Sequence, residues 1–270
     1  MDTAIAKGEA LIMADPDYDM GLEEREKVAK AMGVAESRMV GSISRDATGF
    51  RFERLPDTKI EADAIEKVLM KSQKVNVRNY QDKKALEEVL LSVKEPKILH
   101  LSTHGYFLKD QDVRHQQKIG FISDEEDKIV DFSIENPMLR SGIVLAGVNA
   151  SLKEGKDEGM VSADKILGLN LKGTDLVVLS ACETGVGDVK RGEGVFGLKR
   201  SFILSGAKTV VMSLWSVPSK ETAELMTDFY TLMAMGKPKA DALREARLNL
   251  MKKKSNPFYW GAFVMVGNPN

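Results

Sequence analysis

The chain has very few of the residues that form disulfide frameworks and metal sites. Its 270 residues include one cysteine and three histidines, so a disulfide within the chain is impossible. We therefore expect a reducing compartment, the cytoplasm, as its location. The cysteine and the histidines show no ligand spacing such as His-x-x-x-His or Cys-x-x-Cys, and we expect no metal.

An excess of one charge and long apolar runs are also missing. Lys and Arg total 39 against 40 Asp and Glu, which gives a net charge of −1 and predicts no nucleic-acid partner. Apolar runs such as Ala10–Ala14 are short, whereas a helix that spans a membrane needs about 18 consecutive apolar residues. The first residues also lack the basic-then-apolar layout of a signal peptide. These absences predict a protein that does not act in or on a membrane.

Short strand-like runs alternate with helical stripes along the chain. Most of the runs are continuously apolar, which is typical of parallel strands buried on both faces: Ala10–Ala14, Lys74–Asn79, Lys97–Ser102, Asp175–Ala181, Lys208–Trp215 and Ala262–Gly267. Stripes such as Leu225, Met226, Phe229 and Met233 predict helices between them. The pattern predicts an α/β three-layer sandwich with a mostly parallel central sheet flanked by helices.

Domain organisation is predicted to be simple. The sequence contains no repeat and no linker composition, so residues 1–270 are expected to form a single domain. Residues 116–134 interrupt the alternation with two strand-like runs around Asp124–Asp127, and we expect a small β-hairpin insertion there.

Two apolar strands end in reactive side chains. The run Lys97–Ser102 leads to His104 and Gly105, and the run Leu176–Ala181 leads to Cys182. In an open parallel sheet such ends share one edge, where a thiolate nucleophile can meet an imidazole. The N–H of Gly105 could bind a developing oxyanion.

Plainer interpretations remain open for each of these residues. A single cysteine can be a small buried hydrophobe, and a histidine can be structural. His100 lies in the middle of a strand and is expected to be a core histidine with a hydrogen-bond partner, whereas His115 is expected to be solvated.

At these residues the sequence resembles the CHAT domain family, which comprises caspase-like peptidase domains often fused to TPR repeats. The run Asp175–Gly185 resembles the nucleophile segment, and Leu101–Gly105 resembles the histidine motif. Further matching segments follow in order: Asn136–Gly147, Gly192–Val195, Gly206–Ala207, Ser213–Val217 and Phe258–Phe263.

The resemblance implies a caspase–haemoglobinase fold and an endopeptidase that cleaves a protein substrate without a cofactor. His104 and Cys182 would be the catalytic dyad, and the N–H groups of Gly105 and Cys182 the oxyanion hole. TPR repeats, in cis or in trans, would be the regulator. The alternative is a non-proteolytic interaction module acting with TPR repeats. A flavodoxin-like ligand binder would need a phosphate loop after the first strand, for which Asp15-Pro16-Asp17 is poorly suited.

The specificity pocket departs from the caspase pattern. Ser180 replaces the caspase glutamine, and Trp215-Ser216 lacks the caspase arginine, so we expect no strict requirement for Asp at P1. Asp15 or Asp17 could form an acidic wall for Lys or Arg, although Asp-Pro-Asp is also a common turn. Trp215 could line the pocket or belong to the core. The segment Gly185–Gly194 is expected to be a loop beside the site, and Lys190 and Arg191 could make it a processing site.

Overall fold

The computed structural model describes residues 8–34, 49–72, 75–108, 136–180, 182–183 and 193–270. The predicted hairpin at 116–134, His115 and most of the Gly185–Gly194 loop lie outside these residues.

A six-stranded sheet forms the centre of the molecule. Its strands are β1 (Ala10–Pro16), β2 (Val77–Asp82), β3 (Ile98–Ser102), β7 (Leu176–Leu179), β9 (Thr209–Ser213) and β10 (Phe263–Gly267). They lie in the order β10-β9-β7-β3-β1-β2, and every pairing is parallel except that of β10 with β9. The inner strands β1, β3 and β7 are buried along their whole length, as their apolar sequences predict.

Helices cover both faces of this sheet. Successive residues of β1 point to opposite faces, so Leu11 and Met13 join one apolar cluster while Ala10, Ile12 and Ala14 join the other. The first cluster includes residues of α1 (Leu22–Ala31), α3 (Glu87–Leu91), α5 (Ala163–Leu167) and α6 (Glu193–Leu204). The second includes residues of α2 (Pro56–Lys71), α7 (Ser219–Ala234) and α8 (Lys239–Lys253). The predicted three-layer α/β architecture is confirmed.

A second, smaller sheet lies beside the first. It contains β4 (His104–Phe107), β5 (Ser141–Val144), β6 (Met160–Ser162) and β8 (Cys182–Glu183) in the order β6-β5-β4-β8. A 3-10 turn (Pro137–Leu139) precedes β5, α4 (Val148–Lys153) lies between β5 and β6, and α9 (Pro257–Trp260) precedes β10. Of the helices that the structure describes, none combines the length and the apolar composition needed to cross a membrane.

Candidate active site

The two reactive residues are brought together by both sheets. β3 and β7 are parallel neighbours, so their carboxyl ends meet at one edge of the central sheet. The segments that follow β3 and β7 then enter the second sheet as β4 and β8. These two strands are also parallel, and His104 is the register partner of Cys182. Neighbouring strands lie about 4.8 Å apart, so the backbones of the two residues are adjacent.

The His104 ring packs against two aromatic rings and contacts a main-chain acceptor. Its centroid lies 5.3 Å from that of Tyr18 and 5.8 Å from that of Phe52. Its Nε2 lies 2.7 Å from the carbonyl oxygen of Glu53. Because a carbonyl oxygen only accepts, Nε2 must carry the hydrogen in this contact. The neutral ring then has Nδ1 as its basic nitrogen.

Hydroxyl groups fix the bend between β3 and β4. Thr103 Oγ1 donates to the Val144 carbonyl at 2.5 Å, so it accepts from the Tyr18 hydroxyl at 2.8 Å. The Tyr18 oxygen in turn accepts from the N–H of His104 at 3.3 Å. This chain of hydrogen bonds holds the backbone of His104 as the Glu53 carbonyl holds its ring.

The segment that supplies the Glu53 carbonyl is itself anchored. The carboxamide of Asn149 accepts from the N–H of Phe52 at 2.9 Å and donates to the Phe52 carbonyl at 2.9 Å. It also donates to Asp19 at 3.0 Å. A side-chain amide that pairs with both main-chain groups of a residue acts like a strand neighbour, and here it fixes the residue before Glu53.

A buried polar cluster joins the two strands that lead to His104 and Cys182. The Glu61 carboxylate, on α2 and 1% exposed, accepts from Ser102 at 2.8 Å and from Ser180 at 3.1 Å. It also contacts Nε2 of His100 at 3.1 Å, and Nδ1 of His100 lies 3.1 Å from the Tyr230 hydroxyl. Burial, together with the Glu61 charge, raises the pKa of Tyr230 well above its usual value. The prediction that His100 is a core histidine is confirmed.

The residues predicted for the specificity pocket lie in several environments. Asp15 is buried and forms an ion pair with Arg54, and Ser180 belongs to the Glu61 cluster. Asp17 is half-buried in the turn after β1. Trp215 and Ser216 follow β9 at the edge where β3 and β7 end, and the indole N–H of Trp215 donates to the Phe258 carbonyl at 2.9 Å. Their contact with substrate stays a prediction, as does the oxyanion role of Gly105, the register partner of Glu183.

Glu61, Tyr18 and Glu53 are among the contributors to the site that were missed from the sequence. Glu61 had a recognisable signal, because it lies four residues before Ile65 on the apolar stripe of α2. Tyr18 closely follows the first strand, but nothing in its neighbours marks its hydroxyl as a support for His104. Glu53 acts through its carbonyl, which no residue type can reveal.

Within the described ranges, no group of three or more His, Cys, Asp or Glu residues is arranged to hold a metal ion.

The fold and the paired strand ends define an α/β domain that brings one histidine and one cysteine to the edge of a parallel sheet. The chain belongs to the CHAT domain family, whose profile matches residues 2–268.

The chain is also similar to parts of longer proteins. A stretch of 113 residues, 41% of the chain, is 32% identical to tetratricopeptide repeat protein 28 of Homo sapiens. The protein of the same name from Mus musculus is 31% identical over 113 residues, and the match spans 4% of the length of either relative. The crystal structure of the Arg-specific cysteine proteinase gingipain R is similar with a TM-score of 0.49 and 7% identity. That match covers 99% of this chain and 49% of that one.

Proposed function

We propose that the chain is a cysteine endopeptidase domain in which Cys182 is the nucleophile and His104 its acid–base partner. The observation that carries the proposal is the register of β4 with β8, which pairs His104 with Cys182. The Glu53 carbonyl supports it, because the contact at Nε2 leaves Nδ1 as the nitrogen that exchanges a proton. Family membership agrees with this assignment.

The proposed reaction has two steps. The Cys182 thiol gives its proton to His104, and the thiolate forms a bond to the carbonyl carbon of the scissile peptide. The carbon–nitrogen bond then breaks as the imidazolium gives that proton to the leaving amine. Water hydrolyses the thioester with His104 as base. The N–H groups of Gly105 and Cys182 are proposed to stabilise the oxyanion.

We further propose that TPR repeats regulate this activity, either in the same polypeptide or in a partner. The match to tetratricopeptide repeat protein 28 supports this association. In either case the repeats would act as the sensing part and the domain described here as the peptidase. The protein substrate would be an intracellular one, with no strict need for Asp at P1.

Covalent labelling tests the assignment directly. A peptidyl acyloxymethyl ketone is incubated with wild type, Cys182→Ala and His104→Ala, and adducts are counted by intact mass. Because the chain has one cysteine, a single thiol adduct can only be at Cys182. We expect saturable labelling of wild type, none of Cys182→Ala and at least about 100-fold slower labelling of His104→Ala.

Thiol accessibility is the necessary control. Iodoacetamide, which needs no peptide-binding site, is applied to wild type and His104→Ala in parallel. If iodoacetamide and the peptidyl reagent label both proteins at similar rates, the thiol is merely exposed and the peptidase assignment is wrong. If the peptidyl reagent fails on wild type both with and without TPR repeats, the non-proteolytic module is favoured.

A further inference from the structure

Two aspartates at neighbouring strand ends have an unusual backbone conformation. Asp15 has a φ of 44° and Asp82 a φ of 55°, in the left-handed region that favours glycine. Asp15 lies at a β-bulge, where the pairing of β1 with β2 skips from Ala14 to Pro16. Non-glycine residues keep such conformations only when their surroundings hold them there.

Both aspartates bind the same arginine. Arg54 donates from Nε and from one terminal nitrogen to the Asp15 carboxylate, at 3.1 and 2.7 Å, and from that same nitrogen to the Asp15 carbonyl at 3.2 Å. Its other terminal nitrogen lies 2.8 Å from Asp82. We call Arg54, Asp15 and Asp82 the arginine clamp.

Asp15 anchors the clamp in the fold, whereas the side chains of Arg54 and Asp82 are 41% and 53% exposed. The side chain of Asp15 is 7% exposed, and the N–H of Asp15 donates to Thr58 Oγ1 at 2.9 Å, in the first turn of α2. The hydrogen bond to Asp15, together with its charge and that of Asp82, raises the pKa of Arg54 despite the opposing effect of burial. A planar guanidinium can satisfy this bidentate geometry, whereas a lysine ammonium cannot.

We infer that Arg54 is a positioning residue for His104, which acts by holding the Glu53 carbonyl against Nε2. Glu53 lies between two anchored residues, Phe52 on the Asn149 carboxamide and Arg54 on the two aspartates. Because residues on both sides are fixed, the Glu53 carbonyl has a fixed direction. Asp15 therefore supports the histidine through Arg54 instead of facing a substrate.

The catalytic meaning of this arrangement rests on the proposed function, but its geometry can be tested separately. The chain has three histidines, so the Nε2–H proton of His104 can be assigned by NMR with ¹⁵N-labelled histidine and a His104→Gln reference. We expect this proton to exchange slowly with water in wild type. In Arg54→Met we expect exchange to be about three- to tenfold faster, the change given by weakening one hydrogen bond.

Arg51→Met is the matched control. Arg51 lies on the same segment, and its substitution removes a single exposed ion pair to Asp19 that includes no strand end. Asp19 itself is kept, so it can still accept the hydrogen bond from Asn149. We expect the exchange rate in this variant to match that of wild type. Asp15→Asn provides a second test that keeps the side-chain shape and weakens the clamp, and it is expected to accelerate exchange in the same direction. Thermal unfolding of each variant verifies that it is folded.

Two results would overturn the inference. One is His104 exchange within twofold of wild type in both folded Arg54→Met and folded Asp15→Asn. The other is equal acceleration in Arg51→Met, which would show a general loosening of the segment. If instead Asp15→Asn abolishes a preference for Lys or Arg at P1 while exchange is unchanged, Asp15 is a pocket wall. Failure of the peptidyl reagent on wild type, with and without TPR repeats, would count against the peptidase proposal, while the exchange experiment would still report on the clamp.

Discussion

Single residues around His104 and Cys182 are held largely by main-chain groups and buried hydroxyls. The imidazole is oriented by the Glu53 carbonyl, and the two serines that precede the reactive residues share the Glu61 carboxylate. The Glu61 carboxylate is only 1% exposed, and its burial is tolerated because His100 and both serines form hydrogen bonds to it. Stability and site geometry therefore depend on the same side chain.

Glu61→Ala should destabilise the protein by roughly 3 kcal/mol, because it leaves His100, Ser102 and Ser180 without their buried acceptor. Urea unfolding monitored by circular dichroism measures the change. Glu66→Ala, on the same helix and half-buried, removes one hydrogen bond to Asn79 and should cost about 1 kcal/mol. Equal effects of the two substitutions would contradict the role given to the cluster.

Residue roles could be predicted where the side chain itself carries the signal. His100 was identified as a core histidine by its position in an apolar strand. The meeting of His104 and Cys182 at neighbouring strand ends was predicted in the same way, and their catalytic roles stay a prediction. Asp15 was harder, because Asp-Pro-Asp is compatible with a turn, a pocket wall or an ion pair. Its partner Arg54 is 39 residues away and lies in a segment without periodicity, so the pair could not be found from the sequence.

At the scale of elements, the second sheet determines how the reactive residues meet. It places β4 between β5 and β8, so the strand that begins with His104 is supported on both sides. Close packing within this sheet requires glycine at one position. A Cβ on Gly142 would lie 2.4 Å from the Val161 carbonyl oxygen and 2.7 Å from the Tyr106 ring.

Gly142→Ala should therefore destabilise the protein by more than about 2 kcal/mol, since the nearest clash is with main chain that cannot move aside. It should also slow labelling of Cys182, because β5 is the neighbour of β4. Gly21→Ala is the control, as an added Cβ there meets nothing within 4 Å and should cost less than about 1 kcal/mol. Denaturant unfolding and labelling rates measure both effects, and a Gly142→Ala protein as stable as Gly21→Ala would refute the packing argument.

Elements with continuous apolar sequences were predicted to within a few residues. This holds for β1, β3, β7 and β9, which are interior strands of the central sheet. The edge strand β2 is displaced by three residues from the prediction Lys74–Asn79, because its sequence Val77–Asp82 is polar and half-exposed. The second sheet was not predicted, since strands of two to four residues are too short to show a period, and His104 was expected only at the end of the strand Lys97–Ser102.

The whole molecule contains a second buried ionic group, away from His104. Lys165 contacts Glu87 at 2.7 Å and Asp157 at 2.8 Å, and Arg25 contacts Glu88 at 2.9 Å and Glu87 at 3.5 Å. Burial raises the pKa of Glu87, and its contacts with Lys165 oppose that increase. Burial alone would lower the pKa of Lys165, but its two carboxylate partners raise it. These contacts join α1, α3 and α5, which come from distant parts of the chain.

Lys165→Met should destabilise the protein in a pH-dependent manner. A raised Glu87 pKa stabilises the fold at pH values below the ordinary pKa of 4.5, and this contribution is lost as pH rises through the folded-state pKa. Because Lys165 lowers the pKa of Glu87, its removal should raise that pKa further. The variant should then lose more stability than wild type as the pH rises. The deficit relative to wild type should be small near pH 4.5 and grow to roughly 3 kcal/mol at pH 7.

Urea unfolding at several pH values tests this dependence. Lys156→Met, which breaks an exposed pair with Glu154, should change stability by less than about 1 kcal/mol at every pH. A deficit for Lys165→Met that does not change with pH would contradict the role of Glu87.

We also predict that the whole molecule unfolds in one cooperative transition. Trp215 and Trp260 both pack on the apolar cluster of α2, α7 and α8, whereas Glu87 and Lys165 belong to elements on the other face. Because alternate residues of each strand enter the two clusters, unfolding of one face should disrupt the other. Lys165→Met should then shift the tryptophan-fluorescence and circular-dichroism transitions equally. Separate transitions would show two independently folding parts.

The position of β1 affects the order in which the nascent protein can fold. β1 comes first among the described strands, yet both of its neighbours, β2 and β3, are synthesised later, and β10 completes the far edge last. Until those neighbours leave the ribosome, the apolar run Ala10–Ala14 has no partner strand. The emerging polypeptide therefore exposes an aggregation-prone apolar segment that ribosome-associated chaperones would have to shield.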